Sequence, residues 1–209
     1  MSTARGPILF LGRSDSPVLA HLRAVERDVR ALDADAPLTP ALLAEQDPWR
    51  VVSHGYRRIL RRDVLDVVPG RIVNLHIALL PFNRGADPTL WSVLEDTPAG
   101  VTIHHIDEGV DTGDVIAQRE VALAGHDTLA TAYARLQEAM AALFAEQWEA
   151  IAAGTAARHP QPPGGTAHRV ADRDAVAALL TRGWDTPVGE LRGARRRPWE
   201  GAARKRATH

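Results

Sequence analysis

Short apolar runs alternate with amphipathic stretches in the first part of the chain. Residues 8–11 are all apolar and end at Gly12, which is typical of a buried strand. Two hydroxyl residues, each followed by proline, predict helix starts at Ser16-Pro17 and Thr39-Pro40, because the hydroxyl can cap the helix and proline suits its first turn. Further strands are predicted over residues 28–32, 49–53 and 72–77. The alternation predicts an α/β domain with a mainly parallel sheet.

The middle of the chain changes pattern. Residues 100–106 and 115–123 predict two strands around a polar loop over 107–114, and such strands can pair as neighbours. Residues 127–153 predict a long helix, because apolar side chains recur at steps of three and four. Gly154 ends this predicted helix.

The composition changes after the long helix, and this change divides the chain into three predicted parts. We predict a main domain over residues 1–154, a linker rich in Pro and Gly over 155–165, and a C-terminal extension over 166–209 with a basic tail. A short helix is predicted over 171–180. The fold class is therefore α/β, with a mainly parallel, Rossmann-like sheet flanked by helices and a short C-terminal extension.

Composition removes several kinds of chemistry. The chain has no cysteine, which excludes disulfides, thiol nucleophiles and cysteine-ligated metals. Lys205 is the only lysine, so a Schiff-base or phosphate-loop lysine is not expected. The formal net charge of −1 predicts no general attraction to nucleic acid. No apolar run is long enough for a membrane span and no export signal is evident, so we expect a cytoplasmic protein with no membrane partner.

Three polar residues form a candidate reacting centre. Asn74 and His76 lie two apart in a predicted strand, so their side chains share a face and lie about 7 Å apart along it. An Asn amide can donate a hydrogen bond to a developing oxyanion, and a His ring can accept a proton from an attacking amine. Asp111, in the polar loop, could orient the ring.

The same residues allow other interpretations. A strand-end Asn with a hydrogen-bonded His is often structural. His76, His104 and Asp111 could instead be the ligands of a metal-dependent hydrolase. The arginine-rich stretch from Arg192 onward would suit a non-catalytic protein that binds an acidic ligand.

Two motifs narrow the choice. The first is Asn-Leu-His-Ile-Ala-Leu-Leu-Pro over 74–81, followed by Arg84-Gly85 and Pro88. The second is Gly-Val-Thr-Ile-His over 100–104, followed by Asp-Glu-Gly-Val-Asp-Thr-Gly over 107–113. In order and spacing they strongly resemble the signature of the folate-dependent formyltransferases, and the resemblance is specific over about 54–118.

The resemblance implies roles for individual residues. Asn74, His76 and Asp111 match the catalytic Asn, His and Asp of that family, whereas residue spacing alone leaves open whether His76 is chiefly a base or a hydrogen-bond donor. The formyl donor would be N10-formyltetrahydrofolate, with no metal, and Leu80-Pro81 would be a cis peptide bond. The implied pteridine slot has one wall made of Tyr56, Arg57, Arg58, Ile59 and Leu60, and a second made of Ile106, Asp107, Glu108, Gly109 and Val110, with His104 beside Asp111.

This sequence departs from the family pattern at two places, and these departures limit which amine could accept the formyl group. The loop over 12–16 has one glycine and carries Asp15, which argues against glycinamide ribonucleotide as the acceptor. Too few residues follow Gly165 for the large C-terminal domain of the tRNA enzymes. The resemblance therefore implies a small-molecule amine, such as a nucleotide-linked amino sugar, with no nucleic-acid partner and a homodimeric assembly. Hydrolysis of formyltetrahydrofolate is the alternative within the same family.

Overall fold

The computed structural model describes residues 5–195. Within these residues the chain forms eight strands and six α-helices, and those predicted from the alternating apolar pattern occur in the predicted order. The strands are β1 Ile8–Gly12, β2 Val29–Leu32, β3 Arg50–His54, β4 Ile72–His76, β5 Arg84–Gly85, β6 Gly100–His105, β7 Val115–Glu120 and β8 Ala167–His168. The α-helices are α1 Pro17–Val25, α2 Pro40–Gln46, α3 Arg62–Leu65, α4 Pro88–Leu94, α5 Leu129–Ala153 and α6 Val188–Leu191.

Six strands form one mostly parallel sheet in the order β2-β1-β3-β4-β6-β7. The first four are parallel to their neighbours, whereas β6 runs antiparallel to β4 and β7 antiparallel to β6. This confirms the predicted fold class and the predicted pairing of the two strands around the 107–114 loop. Strands β5 and β8 form a separate parallel pair of two residues each.

Helices cover both faces of the sheet. On one face α1 and α5 bury an apolar cluster against the sheet that includes Val73 and Leu75 of β4. On the other face α2 and α3 pack over a cluster that includes Ile72. Because side chains alternate along a strand, Asn74 and His76 lie on the same face as Ile72.

The predicted helix ends are confirmed by their caps. The Ser16 hydroxyl accepts a hydrogen bond from Val18 N at 3.2 Å, and the Thr39 hydroxyl accepts one from Leu42 N at 3.2 Å. Gly154 adopts a left-handed conformation, φ 72°, and ends α5. That conformation favours glycine, which is why the chain leaves the helix at this position.

The residues after α5 pack against the sheet and against α4. Within 155–165, the stretch predicted as a linker, His159 and Val115 exchange backbone hydrogen bonds of 2.8 and 2.9 Å at the sheet edge. Val176, Val188 and Leu191 are buried in a third apolar cluster with α4 and the start of α5. The division of the chain into domain, linker and extension stays a prediction.

One predicted helix is of a different type. Residues Val170–Leu179, close to the predicted 171–180, form a 3-10 helix. Within it Val176 alone is buried, so little apolar packing is available to favour α-helical geometry. Arg196, Arg197, Arg204, Lys205 and Arg206 of the basic tail lie outside the described residues. Across residues 5–195, no helix combines the length and the apolar character needed to cross a bilayer.

Candidate active site

Strand β4 and its neighbour β6 bring together three polar residues that the sequence predicts for the site: Asn74, His76 and His104. Asn74 lies directly opposite His104 in the antiparallel register, and His76 follows at the carboxyl end of β4. The fourth residue, Asp111, comes from the loop between β6 and β7. Its backbone is left-handed, φ 52°, and its carboxylate contacts all three of the others.

The loop is tightly folded by its own polar groups. The Asp107 carboxylate accepts hydrogen bonds from Gly109 N at 3.0 Å and from the Thr112 hydroxyl at 2.6 Å, which is the usual way that Asp stabilises a turn. Gly113 passes so close to β6 that a Cβ atom there would lie 1.9 Å from the His105 carbonyl oxygen. These constraints hold the Asp111 side chain over β4.

The Asp111 carboxylate has partners at both oxygens. Oδ1 accepts a hydrogen bond from Asn74 Nδ2 at 3.1 Å and lies 3.4 Å from His104 Nε2. Oδ2 accepts one from Gly85 N at 2.8 Å and lies 3.4 Å from His76 Nδ1. Burial acts to raise the pKa of Asp111, but His76, His104 and Gly85 outweigh it and hold this pKa well below its usual value. The group is therefore an anion at neutral pH.

The geometry defines the tautomer of His76. Its Nε2 lies 2.8 Å from the carbonyl oxygen of Asn83. Because a carbonyl only accepts hydrogen bonds, Nε2 carries a hydrogen. Burial lowers the pKa of His76 below 6.5, despite the opposing effects of Asp111 and Asn83. In the neutral ring Nδ1 is then the unprotonated atom, and a proton that arrives there is stabilised by Asp111 at 3.4 Å.

The amide of Asn74 is held by two acceptors. One is Asp111 Oδ1 at 3.1 Å, and the other is His104 Nε2 at 3.2 Å. His104 Nδ1 lies 2.8 Å from the His105 carbonyl oxygen and must donate to it, which leaves Nε2 of the neutral ring as an acceptor. A neutral acceptor holds a donor less strongly than a carboxylate does. The hydrogen of Asn74 that faces His104 is thus the one most easily turned toward a substrate oxygen.

Asn83 belongs to the site, although no property of its sequence position distinguished it. It is fully buried and left-handed, φ 57°, a conformation that Asn adopts more readily than most residues. Its amide donates to the Thr97 hydroxyl at 2.8 Å, and its backbone N donates to the Thr166 hydroxyl at 2.9 Å. These bonds aim its carbonyl at His76. The Leu80–Pro81 bond that precedes this turn is cis, which confirms the expectation.

Gln161 is a second residue that sequence reasoning missed. Its Nε2 donates to the carbonyl oxygens of Asp111 at 2.8 Å and of Gly113 at 2.9 Å. Its Oε1 accepts from Arg84 Nη2 at 2.8 Å and from Nε at 3.2 Å. No motif or periodicity could have indicated it, because its partners lie far away in the chain.

The predicted slot residues divide into two groups. Tyr56, Leu60 and Ile106 meet in one apolar cluster, on the face that bears Asn74. The Tyr56 hydroxyl also donates to Ala36 O at 2.7 Å and accepts from Leu38 N at 2.9 Å.

The remaining slot residues are turned outward or bound elsewhere. Arg57 pairs with the Asp35 carboxylate at 2.9 Å and Arg58 donates to the Asp35 carbonyl at 3.2 Å, so both side chains are directed to another loop. Ile59 and Val110 are 71% and 48% exposed. Glu108 pairs with Arg62 of α3 at 3.3 Å, which joins the second wall to the helix that follows the first wall in the chain.

The arrangement does not resemble a metal site. The Asp111 carboxylate contacts the rings of His76 and His104 directly, and Nε2 of His76 is bound to a carbonyl oxygen. In the part of the chain that the structure describes, no group of three or more His, Asp or Glu side chains is arranged to hold an ion.

Comparison with known sequences identifies the family. The sequence model described as Formyl transferase matches residues 20–147. The chain is 36% identical over 174 residues to the methionyl-tRNA formyltransferase of Anaeromyxobacter dehalogenans (strain 2CP-C), an alignment that covers 80% of this chain and 54% of that protein. The chain therefore spans about half the length of this curated relative.

Solved structures of formyltransferases also resemble this chain. The formyltransferase PseJ from Anoxybacillus kamchatkensis, in complex with UDP-4,6-dideoxy-4-formamido-L-AltNAc and tetrahydrofolate, superposes with a TM-score of 0.84 at 42% identity, over 90% of this chain and 99% of that one. Rv3404c from Mycobacterium tuberculosis, described as a likely sugar N-formyltransferase, superposes with a TM-score of 0.74 at 27% identity, over 93% and 89% of the two chains. The chain shares its α/β fold with both of these structures. The chain belongs to the formyl transferase family.

Proposed function

We propose that the protein transfers a formyl group from N10-formyltetrahydrofolate to the amine of a nucleotide-linked amino sugar. The observation that carries the proposal is the convergence of Asn74, His76 and Asp111 on one face of the sheet, with a tautomer of His76 that leaves Nδ1 free to accept a proton. Together these residues supply an oxyanion donor, a base and a fixed anion close to one another.

The geometry supports a stepwise transfer. The neutral amine of the acceptor attacks the formyl carbon, the new C–N bond forms, and the carbonyl π electrons move to oxygen. The Asn74 amide donates a hydrogen bond to that oxyanion. His76 Nδ1 accepts the proton that the amine nitrogen loses, and Asp111 stabilises the resulting imidazolium. The oxyanion electrons then re-form the carbonyl, the bond to N10 breaks, N10 takes up a proton, and tetrahydrofolate leaves.

Asp111 is unsuited to be the base itself. Its pKa lies well below the usual value for a carboxyl group, so it binds a proton poorly at neutral pH. Burial lowers the pKa of His76 below 6.5, so its ring is neutral at the operating pH and can accept a proton there. This assigns proton acceptance to His76 and leaves Asp111 to orient and stabilise it.

The donor slot is compatible with a flat ring system. Leu60, which is buried, and Ile106, which is partly buried, form an apolar base, while the exposed Ile59 and Val110 offer apolar surface on the two walls. Such surface suits a pteridine, which has two apolar faces and a polar rim. The Arg57 and Arg58 side chains contribute through the Asp35 loop that they bind rather than by lining the slot.

The acceptor is proposed from the likeness to PseJ, whose solved structure holds a formylated UDP-sugar and which this chain matches over nearly its whole length. The match to methionyl-tRNA formyltransferase covers only 54% of that protein, so a tRNA acceptor is less well supported. A homodimer, a cytoplasmic location and the absence of a nucleic-acid partner remain sequence predictions that accompany this proposal.

A panel assay tests the proposal. The purified protein is incubated with N10-formyltetrahydrofolate and, in separate reactions, UDP- and dTDP-linked amino sugars, free amino acids and methionyl-tRNA. Mass spectrometry should detect the gain of one formyl group on a nucleotide-linked amino sugar. If only the methionyl-tRNA is formylated, the proposed amino-sugar acceptor is wrong and a tRNA takes its place. If formate is released and no amine is formylated, the protein is a hydrolase of formyltetrahydrofolate.

A further inference from the structure

The chain returns to the catalytic residues after α5. Residues 161–168, called the strap below, lie beyond residues 20–147, to which the family model matches. The strap pairs through β8 with β5, and this pairing is parallel: Arg84 lies opposite Ala167 and Gly85 opposite His168. Since Gly85 N donates to the Asp111 carboxylate at 2.8 Å, the strap backbone is one hydrogen-bonded step from the catalytic anion.

One end of the strap holds the Asp111 loop. The Gln161 amide donates to the carbonyl oxygens of Asp111 and Gly113, at 2.8 and 2.9 Å, while its oxygen accepts from Arg84. A single side chain thus joins the loop after β6 to the short strand β5. Because Asp111 has a left-handed backbone, φ 52°, hydrogen bonds on its carbonyl help to hold a conformation that Asp adopts only at some cost.

The middle of the strap holds the acceptor of His76. The Thr166 hydroxyl accepts a hydrogen bond from Asn83 N at 2.9 Å and donates one to Asn83 Oδ1 at 3.0 Å. Asn83 is thereby fixed on two sides while its carbonyl faces Nε2 of His76 at 2.8 Å. The neighbouring Gly165 packs so closely that a Cβ atom would lie 2.1 Å from the Pro81 carbonyl oxygen, so the strap has little room to shift.

We propose that Gln161 and Thr166 are positioning residues that align Asp111 and His76 for proton transfer. This inference rests on the proposed function for its kinetic consequence, but the alignment itself is a property of the protein. Neither residue contacts a reacting atom. Thr166 acts through Asn83 on the tautomer and orientation of His76, and Gln161 acts through the loop backbone on the carboxylate of Asp111.

The first test compares Thr166→Val with Thr166→Ser. Valine keeps the shape but removes both hydrogen bonds to Asn83, whereas serine keeps them. We expect Thr166→Val to lower kcat by about 10- to 100-fold, since a small misplacement of a catalytic group has effects of that order, with KM for the folate nearly unchanged. Thr166→Ser should restore most of the activity. Thr155→Val, which alters an exposed hydroxyl just after the end of α5, serves as the matched control.

The pH dependence separates positioning from general destabilisation. The hydrogen bond from His76 to the Asn83 carbonyl raises the pKa of His76 against the effect of burial. If Thr166→Val displaces that carbonyl, the acid limb of the kcat profile should move to lower pH. A merely weakened fold would lower the amount of active enzyme without moving the limb.

Gln161 provides a second, independent variant. Gln161→Glu keeps an acceptor for Arg84 but removes both donors to the loop carbonyls, so kcat should fall by about tenfold or more, as expected when a catalytic group is misaligned. A Gln46→Glu variant, at a partly exposed position at the end of α2, is the control. Values of kcat within twofold of the wild type for both Thr166→Val and Gln161→Glu would overturn the proposal.

One measurement needs no turnover. Imidazole ¹⁵N NMR of His76 should show the Nε2–H tautomer in the wild type and a mixture of tautomers in Thr166→Val. An unchanged tautomer in that variant would contradict the positioning role even if the protein transferred no formyl group. Conversely, inactivity of the wild type toward the whole acceptor panel, with the tautomer shift present, would count against the proposed function alone.

Discussion

The Nδ1 atom of His76 and the Oδ2 atom of Asp111 lie 3.4 Å apart, although one residue ends a parallel strand and the other belongs to a loop beyond two further strands. The contact pairs a buried imidazole with a carboxylate that is ionised at neutral pH. A proton that reaches His76 is therefore received next to a fixed negative charge. In the proposed reaction, the acceptor amine would lose its proton without any rearrangement of charged groups.

Replacing Asp111 by Asn should lower kcat by about 10² or more, because the imidazolium loses the anion that stabilises it. The folate KM should change much less, because the slot keeps its apolar lining. Steady-state kinetics on the preferred acceptor measures both constants. Asp114→Asn, which alters a partly exposed carboxylate paired with Arg158, should leave kcat close to the wild-type value. Near-normal turnover in Asp111→Asn would refute the assigned mechanism.

The rate should depend on pH through His76. As a base it works only in the neutral form, and burial lowers its pKa below the ordinary 6.5. The rate should therefore be level around neutrality and fall only when the pH drops below about 6.5, the ordinary pKa of a histidine side chain. A profile of kcat between pH 5 and 9 shows this. A limb centred above pH 7 would indicate that His76 is protonated in the active form and acts as a donor.

The buried His54 should make the fold sensitive to acid. Its Nδ1 lies 2.9 Å from the Ser16 hydroxyl, and burial lowers its pKa from 6.5 to about 4. Since the unfolded chain binds a proton at a higher pH than the folded one, stability is complete above pH 6.5 and declines as the pH falls toward 4. From that difference His54 should contribute a loss of about 2 kcal/mol at pH 5.

Urea unfolding at pH 7 and pH 5 measures this effect. The drop in unfolding free energy should be smaller in His54→Gln than in the wild type, whatever the loss of stability at pH 7. His126→Gln, at an exposed position, should leave the drop unchanged. An equal pH dependence in His54→Gln would mean that other groups cause the acid sensitivity.

A reduced folate should protect the protein against heat, because a ligand that binds only the folded state adds about 2.7 kcal/mol at 100 times its Kd. The variant Ile59→Glu should lose most of this protection, since it puts a charge on one wall of the slot. Its own melting temperature should change little, because Ile59 is 71% exposed. Val25→Glu, exposed on α1, is the control. If the folate still protects Ile59→Glu fully, the folate binds at a site that Ile59 does not line.

Local patterns predicted most of the sheet and the helix starts, because strand burial, hydroxyl caps and a terminal glycine act between near neighbours. The sequence predicts an ordinary helix over 171–180, yet the 3-10 helix that forms over 170–179 buries too little apolar surface to favour α-helical geometry. The candidate reacting centre, Asn74, His76 and Asp111, is predicted from motifs whose order and spacing resemble the formyltransferase signature. Gln161 and Thr166 could not be found this way, since they contact partners 50 and 83 positions away in the chain, and no spacing rule reaches that far.

The spacing between the two anchors of the strap has a consequence for how such chains can vary in length. Gln161 is tied to the Asp111 loop and Thr166 to Asn83, and the four residues between them include two prolines and two close-packed or left-handed glycines. A residue gained or lost there would detach one anchor or shift β8 by one position, which turns each side chain to the opposite face. Insertions should therefore be tolerated in the 3-10 region after Val170, where most side chains are exposed, and selected against between Gln161 and Thr166.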